Sequence, residues 1–323
     1  MNNQSGNPGK QPAERTSGKE PDLSVSFAGI TLENPVATAS GTFSARESGA
    51  FYDINELGAV ITKGVSAEPW EGNPTPRIAE TYGGMLNSVG LQNPGVDAFI
   101  RDELSYLKSF RPGIIVNVVG KSIGEYCAVA EKLGDTDIDM LEINISCPNI
   151  KEGGISFGAD PKLAAKITKE IKRASRKPII MKLTPNVTDI TEIARAAESE
   201  GADGISLINT LLGMKIDVYN RRPVLSNVMG GLSGPAIKPV AVRMVYQVRQ
   251  AVNIPIIGLG GIMTGEDAAE FLMAGADAVS VGTAALTDPT APVRIKKELI
   301  EFMKQYGYEN LRQIREAFLK SIE

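Results

Sequence analysis

Eight short apolar runs recur along the chain, and the stretches between them have the spacing of amphipathic helices. Near-continuous apolar strands that alternate with helices predict a parallel sheet buried on both faces. Eight such units match the (β/α)8 TIM barrel, an α/β fold. The alternative with similar local patterns is an open, doubly wound sheet. The eight runs occupy residues 36–40, 59–64, 114–120, 140–146, 178–184, 204–210, 255–261 and 278–284.

Local signals around these runs agree with the barrel. Residues 23–32 read as an N-terminal hairpin, and Ser-Ile-Gly-Glu at 122–125 has the pattern of a helix capping box. Asp288 before Pro289 predicts a further helix start. We therefore expect residues 23–323 to form one barrel domain, preceded by a disordered leader at 1–22.

Two segments between predicted elements are longer than ordinary connections. They cover residues 65–97 and 211–236, and the first is rich in Gly, Pro and Asn. Enzymes of this architecture place their sites on loops at the carboxyl ends of the strands. Both segments are therefore predicted as long loops at that mouth.

Composition excludes several functional classes. The net charge of -4 and the scattered basic residues give no surface for nucleic acid. No apolar run reaches the ~20 residues of a membrane span, and the N-terminus lacks the apolar centre of a secretory signal. Two cysteines cannot form a disulfide framework, which predicts a cytoplasmic protein. With no His, we predict no metal site, and acid–base chemistry must use Cys, Lys or a carboxylate.

The carboxyl ends of the predicted strands carry polar residues and glycines. In a barrel these ends meet at one mouth, so residues far apart in sequence become neighbours. The predicted ring consists of Ser40, Lys63, Asn117, Asn144, Lys182, Asn209, Thr210, Gly260, Gly261, Gly282 and Thr283.

Glycines at the seventh and eighth strand ends predict a phosphate site. Barrels often bind phosphate there through backbone N–H groups. Gly260 and Gly261 would let backbone approach a ligand closely, and Gly282 with Thr283 would add donors. The alternative is that each glycine simply forms a tight turn.

Two lysines and several amides suggest a flat anionic ligand. Lys63 and Lys182 could simply be solvated ends of strands. The predicted ring around them consists of uncharged amides, however, so we expect both lysines to face a ligand anion. Asn side chains both donate and accept, which suits a heterocycle with alternating N–H and C=O groups. Asn87 and Asn149 would join the three strand-end asparagines from loops.

Cys147 directly follows the fourth predicted strand. A thiol with an ordinary pKa of about 8.5 can act as a base where its neighbours favour the thiolate. Pro148 would fix the turn that carries it. The alternative is a small buried apolar residue, which is the interpretation we adopt for Cys127 on the helical stretch 122–133.

From Leu23 to the C-terminus the chain resembles the dihydroorotate dehydrogenase family, FMN enzymes of pyrimidine synthesis. Cysteine in "SCPN" is similar to the soluble branch of the family, since the membrane-associated branch has serine there. The matching segments are "ASGTF" (39–43), "ITKG" (61–64), "NSVGLQNPG" (87–95), "INISCPN" (143–149), "MKLTPN" (181–186), "INTLLGM" (208–214), "GGLSGPAIKPVAVRMVYQV" (230–248), "GLGGI" (258–262) and "VGTA" (281–284).

The resemblance implies that Cys147 removes the C5 proton of dihydroorotate while hydride passes from C6 to flavin N5, giving orotate. Lys182 would stabilise the charge of the reduced ring. FMN would be held by Ser40, Lys63, Gly64, Asn117, Asn144, Lys182, Ile208, Gly234, Gly260, Gly261, Gly282 and Thr283, and the pyrimidine by Lys63, Asn87, Ser88, Val89, Gly90, Leu91, Asn144, Asn149, Asn209 and Thr210.

The stretch 208–248 resembles the NAD-linked class. That class implies a homodimeric core in a heterotetramer, with a second subunit that carries FAD and a [2Fe–2S] cluster. This chain has two cysteines where such a cluster needs four, and no dinucleotide-binding motif. The alternatives are a fumarate-using enzyme, a reductase similar to dihydropyrimidine dehydrogenase, and an inactive barrel that only binds phosphate ligands.

One residue departs from the family pattern. Glu152 stands where relatives often have His, and its carboxylate would raise the pKa of the Cys147 thiol if the two groups approach.

Overall fold

The computed structural model describes residues 20–146, 151–152 and 155–322. Its centre is a closed barrel of eight parallel strands, which confirms the predicted architecture. The eighth strand pairs with the first through Val279 and Val36, so the sheet has no free edge. The barrel strands are Val36–Thr38, Ala59–Ile61, Gly113–Val118, Met140–Asn144, Ile179–Lys182, Gly204–Leu207, Ile256–Leu259 and Ala278–Val281.

The apolar runs of the strands follow from burial on both faces. Along the fourth strand, Met140 belongs to an apolar cluster inside the barrel, whereas Leu141 and Ile143 belong to the larger cluster that includes the outer helices. Successive side chains point to opposite faces, and here both faces are covered. The strands are therefore mostly apolar, although Glu142 and Asn144 alternate with Leu141 and Ile143 toward the carboxyl end of this strand.

The predicted N-terminal hairpin is present and covers one end of the barrel. Val25–Phe27 pairs with Ile30–Leu32, and Ala28 and Gly29 form the turn with φ values of 50° and 85°. The Phe27 ring is fully buried against Gly204, where an added Cβ would lie 2.9 Å from the ring. The other end of the barrel is left for the functional site.

Helices surround the barrel. Ser122 accepts a hydrogen bond from Glu125 N at 3.3 Å, but Glu125 accepts from Lys121 N, so only half of the predicted capping box forms. The α-helices are Ala45–Ser48, Val96–Ala98, Ser105–Leu107, Ile123–Gly134, Pro161–Ala174, Ile190–Ser199, Lys238–Arg249, Gly265–Met273, Thr283–Thr287, Ala291–Tyr306 and Leu311–Ile322. Residues Phe99–Leu104 form a π-helical turn, and the 3-10 helices are Ile54–Glu56, Phe157–Ala159 and Pro235–Ile237.

Two features near the chain ends refine the predictions. The helix expected to begin at Pro289 begins at Ala291, and Asp288 accepts hydrogen bonds from Thr290 N and from Arg294 just before it. The predicted leader, 1–22, lies outside the described residues except for 20–22. In the described ranges, no helix is both long and apolar enough to cross a bilayer.

The two long segments also carry an accessory antiparallel sheet, which the sequence did not predict. Its strands come from both segments, in the order Leu211–Met214, Met229–Ser233, Gly84–Asn87 and Ile78–Thr81. Glycines allow the strands to approach, since a Cβ on Gly230 would lie 2.7 Å from Asn87 O. The pairing joins positions about 145 residues apart, so no local pattern predicts it. Two smaller ribbons pair Ile216–Asp217 with Arg222–Pro223 and Lys151–Glu152 with Ile155–Ser156.

Candidate active site

The carboxyl ends of the barrel strands bring the predicted polar residues together. Two hydrogen-bond networks lie there, one around Glu142 and one around Asn144, which are two positions apart on the fourth strand. Because side chains two apart share a face of a strand, both point to the barrel interior. The pattern of strand ends predicts Asn144 as a site residue, but it does not include Glu142.

Glu142 is fully buried and binds side chains from three other strands. Its Oε2 accepts from Asn117 Nδ2 at 2.5 Å and lies 3.3 Å from Lys182 Nζ. Its Oε1 accepts from Ser206 Oγ at 2.7 Å. The expectation that Lys182 lies in a ring free of protein charge is therefore wrong. Inward alternation along the strand was the signal that could have found Glu142 and Ser206.

Asn144 organises the second network. Its Oδ1 accepts from Ser146 Oγ at 2.6 Å and from Asn209 Nδ2 at 3.4 Å, and Asn209 Nδ2 also donates to Ser146 Oγ. The backbone oxygen of Asn144 accepts from the buried Tyr126 hydroxyl at 2.7 Å. The amides predicted on the fourth and sixth strands thus lie in contact. Thr210 follows Asn209 and donates its N–H to the Asn209 side chain at 2.7 Å.

Lys63 follows the second strand and has no carboxylate partner among the described residues. Burial lowers the pKa of Lys63, and the nearby Arg77 guanidinium lowers it further. Its Nζ would lie 3.9 Å from a Cβ on Gly41, in the turn after the first strand and Ser40. An anionic ligand at this position would compensate the Lys63 charge.

Two of the predicted phosphate residues, Gly261 and Thr283, lie next to Gly234. Gly260 and Gly261 have φ values of 128° and 83°, and a Cβ on Gly261 would lie 2.8 Å from Gly234 O and 3.0 Å from Lys238 N. Thr283 Oγ1 and Ser233 Oγ form a hydrogen bond of 2.8 Å, which joins the eighth strand end to the accessory sheet. Ile208 donates its N–H to Leu259 O at 2.9 Å and so joins the sixth and seventh strand ends.

If the predicted phosphate residues hold the FMN that the resemblance implies, Gly261→Ala should weaken its retention at least ~10-fold. The added Cβ would lie 2.8 Å from Gly234 O, and the resulting backbone strain would cost about 1–3 kcal/mol. Gly29→Ala is the matched control: Gly29 has φ 85°, but no atom lies within 4 Å of an added Cβ. Flavin fluorescence after ultrafiltration measures retention. Equal retention in the two variants would argue against a phosphate site here.

The segment 87–91, predicted to bind the pyrimidine, is held by hydrogen bonds. Asn87, expected in a loop, is the last residue of a strand, and its Nδ2 donates to Gly231 O at 3.4 Å. Ser88 is buried, and its Oγ has no partner within the described part of the chain. Asn73 donates to Ser88 O at 2.9 Å and to Val89 O at 3.0 Å. Gly90 and Leu91 both have positive φ values, 78° and 55°.

Cys147, Asn149 and Pro148 lie outside the described residues, as does the side chain of Glu152. The neighbouring residues are described: Ser146 belongs to the Asn144 network, and a Cβ on Gly158 would lie 2.7 Å from Ile145 O. The chain thus leaves and returns at adjacent points of the mouth. The role of Cys147 and its relation to Glu152 stay predictions.

Cys127 lies on the outer helix Ile123–Gly134 and is partly buried. Burial raises the pKa of its thiol, and the Glu131 and Glu170 carboxylates raise it further. Both effects favour the neutral thiol, which agrees with the interpretation of Cys127 as a packing residue.

Comparison with known proteins identifies the family. The family model "Dihydroorotate dehydrogenase" matches residues 22–303. The chain is 60% identical over 295 residues to the protein named dihydroorotate dehydrogenase B (NAD(+)), catalytic subunit, of Alkaliphilus metalliredigens, covering 91% of this chain and 98% of that one. Proteins of the same name from Lachnoclostridium phytofermentans and Geobacter metallireducens are 60% and 54% identical, covering 91% and 92% of this chain and 98% of each relative.

A solved structure supports the fold. The crystal structure of DHODH in complex with ferulenol from Eimeria tenella superposes with a TM-score of 0.74 at 24% identity, covering 91% of this chain and 87% of that one. The family assignment depends on the sequence relatives and the family model, which span most of the chain and agree with one another. This chain belongs to the dihydroorotate dehydrogenase family.

Proposed function

We propose that this chain is the catalytic subunit of an enzyme that oxidises dihydroorotate to orotate in pyrimidine biosynthesis. The observation that carries the proposal is the mouth of the barrel, where Lys63, Lys182, Asn144 and Asn209 gather at the ends of four strands. Relatives at 52–60% identity bear the name of this activity over most of their length.

The residues present fit FMN, and the family is flavin-dependent. Asn117 Oδ1 is buried without a hydrogen-bond partner among the described residues, and a ligand N–H would satisfy it. The close approach of Gly261 to Gly234 leaves no room for a side chain, and backbone N–H groups there would bind a phosphate. The residues that would hold FMN are those of the sequence prediction: Ser40, Lys63, Gly64, Asn117, Asn144, Lys182, Ile208, Gly234, Gly260, Gly261, Gly282 and Thr283.

The remaining polar residues would orient the substrate. Dihydroorotate carries a carboxylate and a ring of alternating N–H and C=O groups. Lys63, whose burial disfavours its unpaired charge, would bind an anionic group. Asn144 and Asn209 have amide groups that both donate and accept, and their mutual contacts would fix their orientation. Bound FMN would supply the acceptor for hydride from C6.

Cys147 would take the C5 proton. It follows Ser146, which is anchored by the Asn144 side chain, so the described network limits where the turn can begin. A thiolate at this point would act as general base in a protein that contains no His. Because Cys147 must remain a free thiol, we propose a reducing, cytoplasmic location.

Electrons would pass to NAD through a second subunit. The relatives are named catalytic subunits of NAD(+) enzymes, and we propose that the partner carries FAD and a [2Fe–2S] cluster. The accessory sheet and the adjoining ribbon at Ile216–Asp217 expose apolar side chains, here called the apolar patch. The patch consists of Leu212, Met214, Ile216, Val218 and Met229, with exposed fractions between 48% and 70%. Such a patch beside a redox site is suited to a protein partner.

The test is the absorbance spectrum of purified protein. We expect a yellow protein that releases one FMN per chain, and anaerobic dihydroorotate should bleach the flavin while dihydrouracil should not. Bleaching by dihydrouracil alone would assign the chain to a pyrimidine reductase of another kind. Release of FAD, or a colourless protein, would contradict the phosphate site.

A further inference from the structure

The buried Glu142 carboxylate has no part in the mechanism proposed above, yet it lies at the centre of the site. It is two residues before Asn144 on the fourth strand, and its side chain is 0% exposed. A carboxylate removed from water is costly unless other groups compensate its charge and fill its lone pairs. The groups that contact the Glu142 carboxylate therefore indicate which side chains it positions.

Glu142 connects four consecutive barrel strands. Asn117 on the third strand and Lys182 on the fifth both contact Oε2, at 2.5 and 3.3 Å. Ser206 on the sixth strand donates to Oε1 at 2.7 Å. These contacts give both carboxylate oxygens a donor. The three partners stabilise the buried carboxylate, and the carboxylate in turn fixes the positions of their side chains.

The carboxylate decides the orientation of the Asn117 amide. An ionised carboxylate only accepts hydrogen bonds, so Asn117 must turn its NH2 group toward it. Asn117 Oδ1 then points elsewhere, 3.1 Å from where a Cβ on Gly64 would lie, and it finds no partner in the described residues. A neutral amide in place of Glu142 would not impose this orientation, because it can donate or accept.

The same carboxylate sets the local charge. The Lys182 side chain is 5% exposed, and Glu142 is the carboxylate with which it pairs in the described part of the chain. With both groups ionised, the pair is close to neutral overall. A negative charge next to a redox group disfavours its reduction, whereas an uncompensated ammonium favours it.

We propose that Glu142 is a positioning residue that orients Lys182 and Asn117 toward the bound flavin and keeps the reduction potential of that flavin low. The inference depends on the proposed function, since it requires that flavin binds at this mouth. Neither the strand-end pattern nor the family resemblance assigns Glu142 to the site.

The test is the midpoint potential of the protein-bound flavin, measured by equilibrium reduction against a reference dye without dihydroorotate. In Glu142→Gln the potential should shift to more positive values. Ser206→Ala is the matched control: it removes a hydrogen bond to Glu142 but keeps both charges, so its potential should remain close to that of the wild type. Glu142→Asp, which restores the charge on a shorter side chain, should reverse part of the shift.

The outcomes separate this inference from the function on which it depends. Wild type without flavin would overturn the proposed function. Flavin-containing Glu142→Gln with the wild-type potential would overturn the role of Glu142 alone. Should Glu142→Gln fail to fold, infrared difference spectra of wild type with 13C-labelled glutamate decide: flavin reduction should perturb a glutamate carboxylate band, and no such change would refute the inference.

Discussion

Replacing Cys147 with alanine should slow the reduction of bound flavin by dihydroorotate by at least ~100-fold, the lower end of what loss of a general base costs. The C5 proton would have no acceptor, and the chain has no His to substitute. FMN should remain bound, because the predicted phosphate site around Gly234 is formed by other segments. Stopped-flow absorbance under anaerobic conditions measures the rate.

The chain offers a matched control for this experiment. Cys127→Ala removes the other thiol, on the outer helix Ile123–Gly134, and should leave the rate unchanged. Cys147→Ser should keep some activity that rises at high pH, because a hydroxyl loses its proton less readily than a thiol. A wild-type rate in Cys147→Ala would show that another group is the base.

The isolated chain should transfer electrons from its reduced flavin to NAD very slowly. Among the described residues, nothing resembles a dinucleotide-binding unit, and two cysteines are too few for an iron–sulfur cluster. Addition of a cysteine-rich FAD subunit should make the transfer rapid and should yield a stable complex. Stopped-flow oxidation of the reduced chain by NAD, with and without that subunit, measures the difference.

The apolar patch supplies the matched variants for that experiment. Leu212→Asp with Met214→Asp should weaken the complex, because charges would enter a surface that the partner covers. Leu319→Asp, on the last helix Leu311–Ile322, is the control, since it changes an exposed apolar residue elsewhere. Rapid NAD reduction by the chain alone would contradict the two-subunit proposal, and rapid oxidation by fumarate would place it in the other soluble class. If the patch variant still binds the FAD subunit but no longer self-associates, the patch binds a second copy of this chain instead.

The barrel and the positions of its strand ends could be predicted from the sequence because both depend on local patterns. Continuous apolar runs such as 140–146 report burial on both faces, and parallel strands must place their carboxyl ends together. The sequence therefore predicts that Lys63, Asn144 and Asn209 gather at one mouth. The hairpin at 25–32 was equally local, since two residues with positive φ, Ala28 and Gly29, join its strands.

Tertiary structure decided the contacts that depend on distant residues. The accessory sheet pairs Asn87 with Gly231, which lie far apart in the sequence. The first of its two segments is rich in Gly, Pro and Asn, so its local sequence does not predict strands. Alternation along the fourth strand indicates that Glu142 points inward, but its partners cannot be predicted from the strand alone. Only closure of the barrel brings Asn117, Lys182 and Ser206 around it. A buried carboxylate is stable only where partners compensate its charge, and the partners of Glu142 come from three other strands. The sequence by itself therefore determined the fold and the location of the site, whereas the charge balance of the site was decided by packing across the barrel.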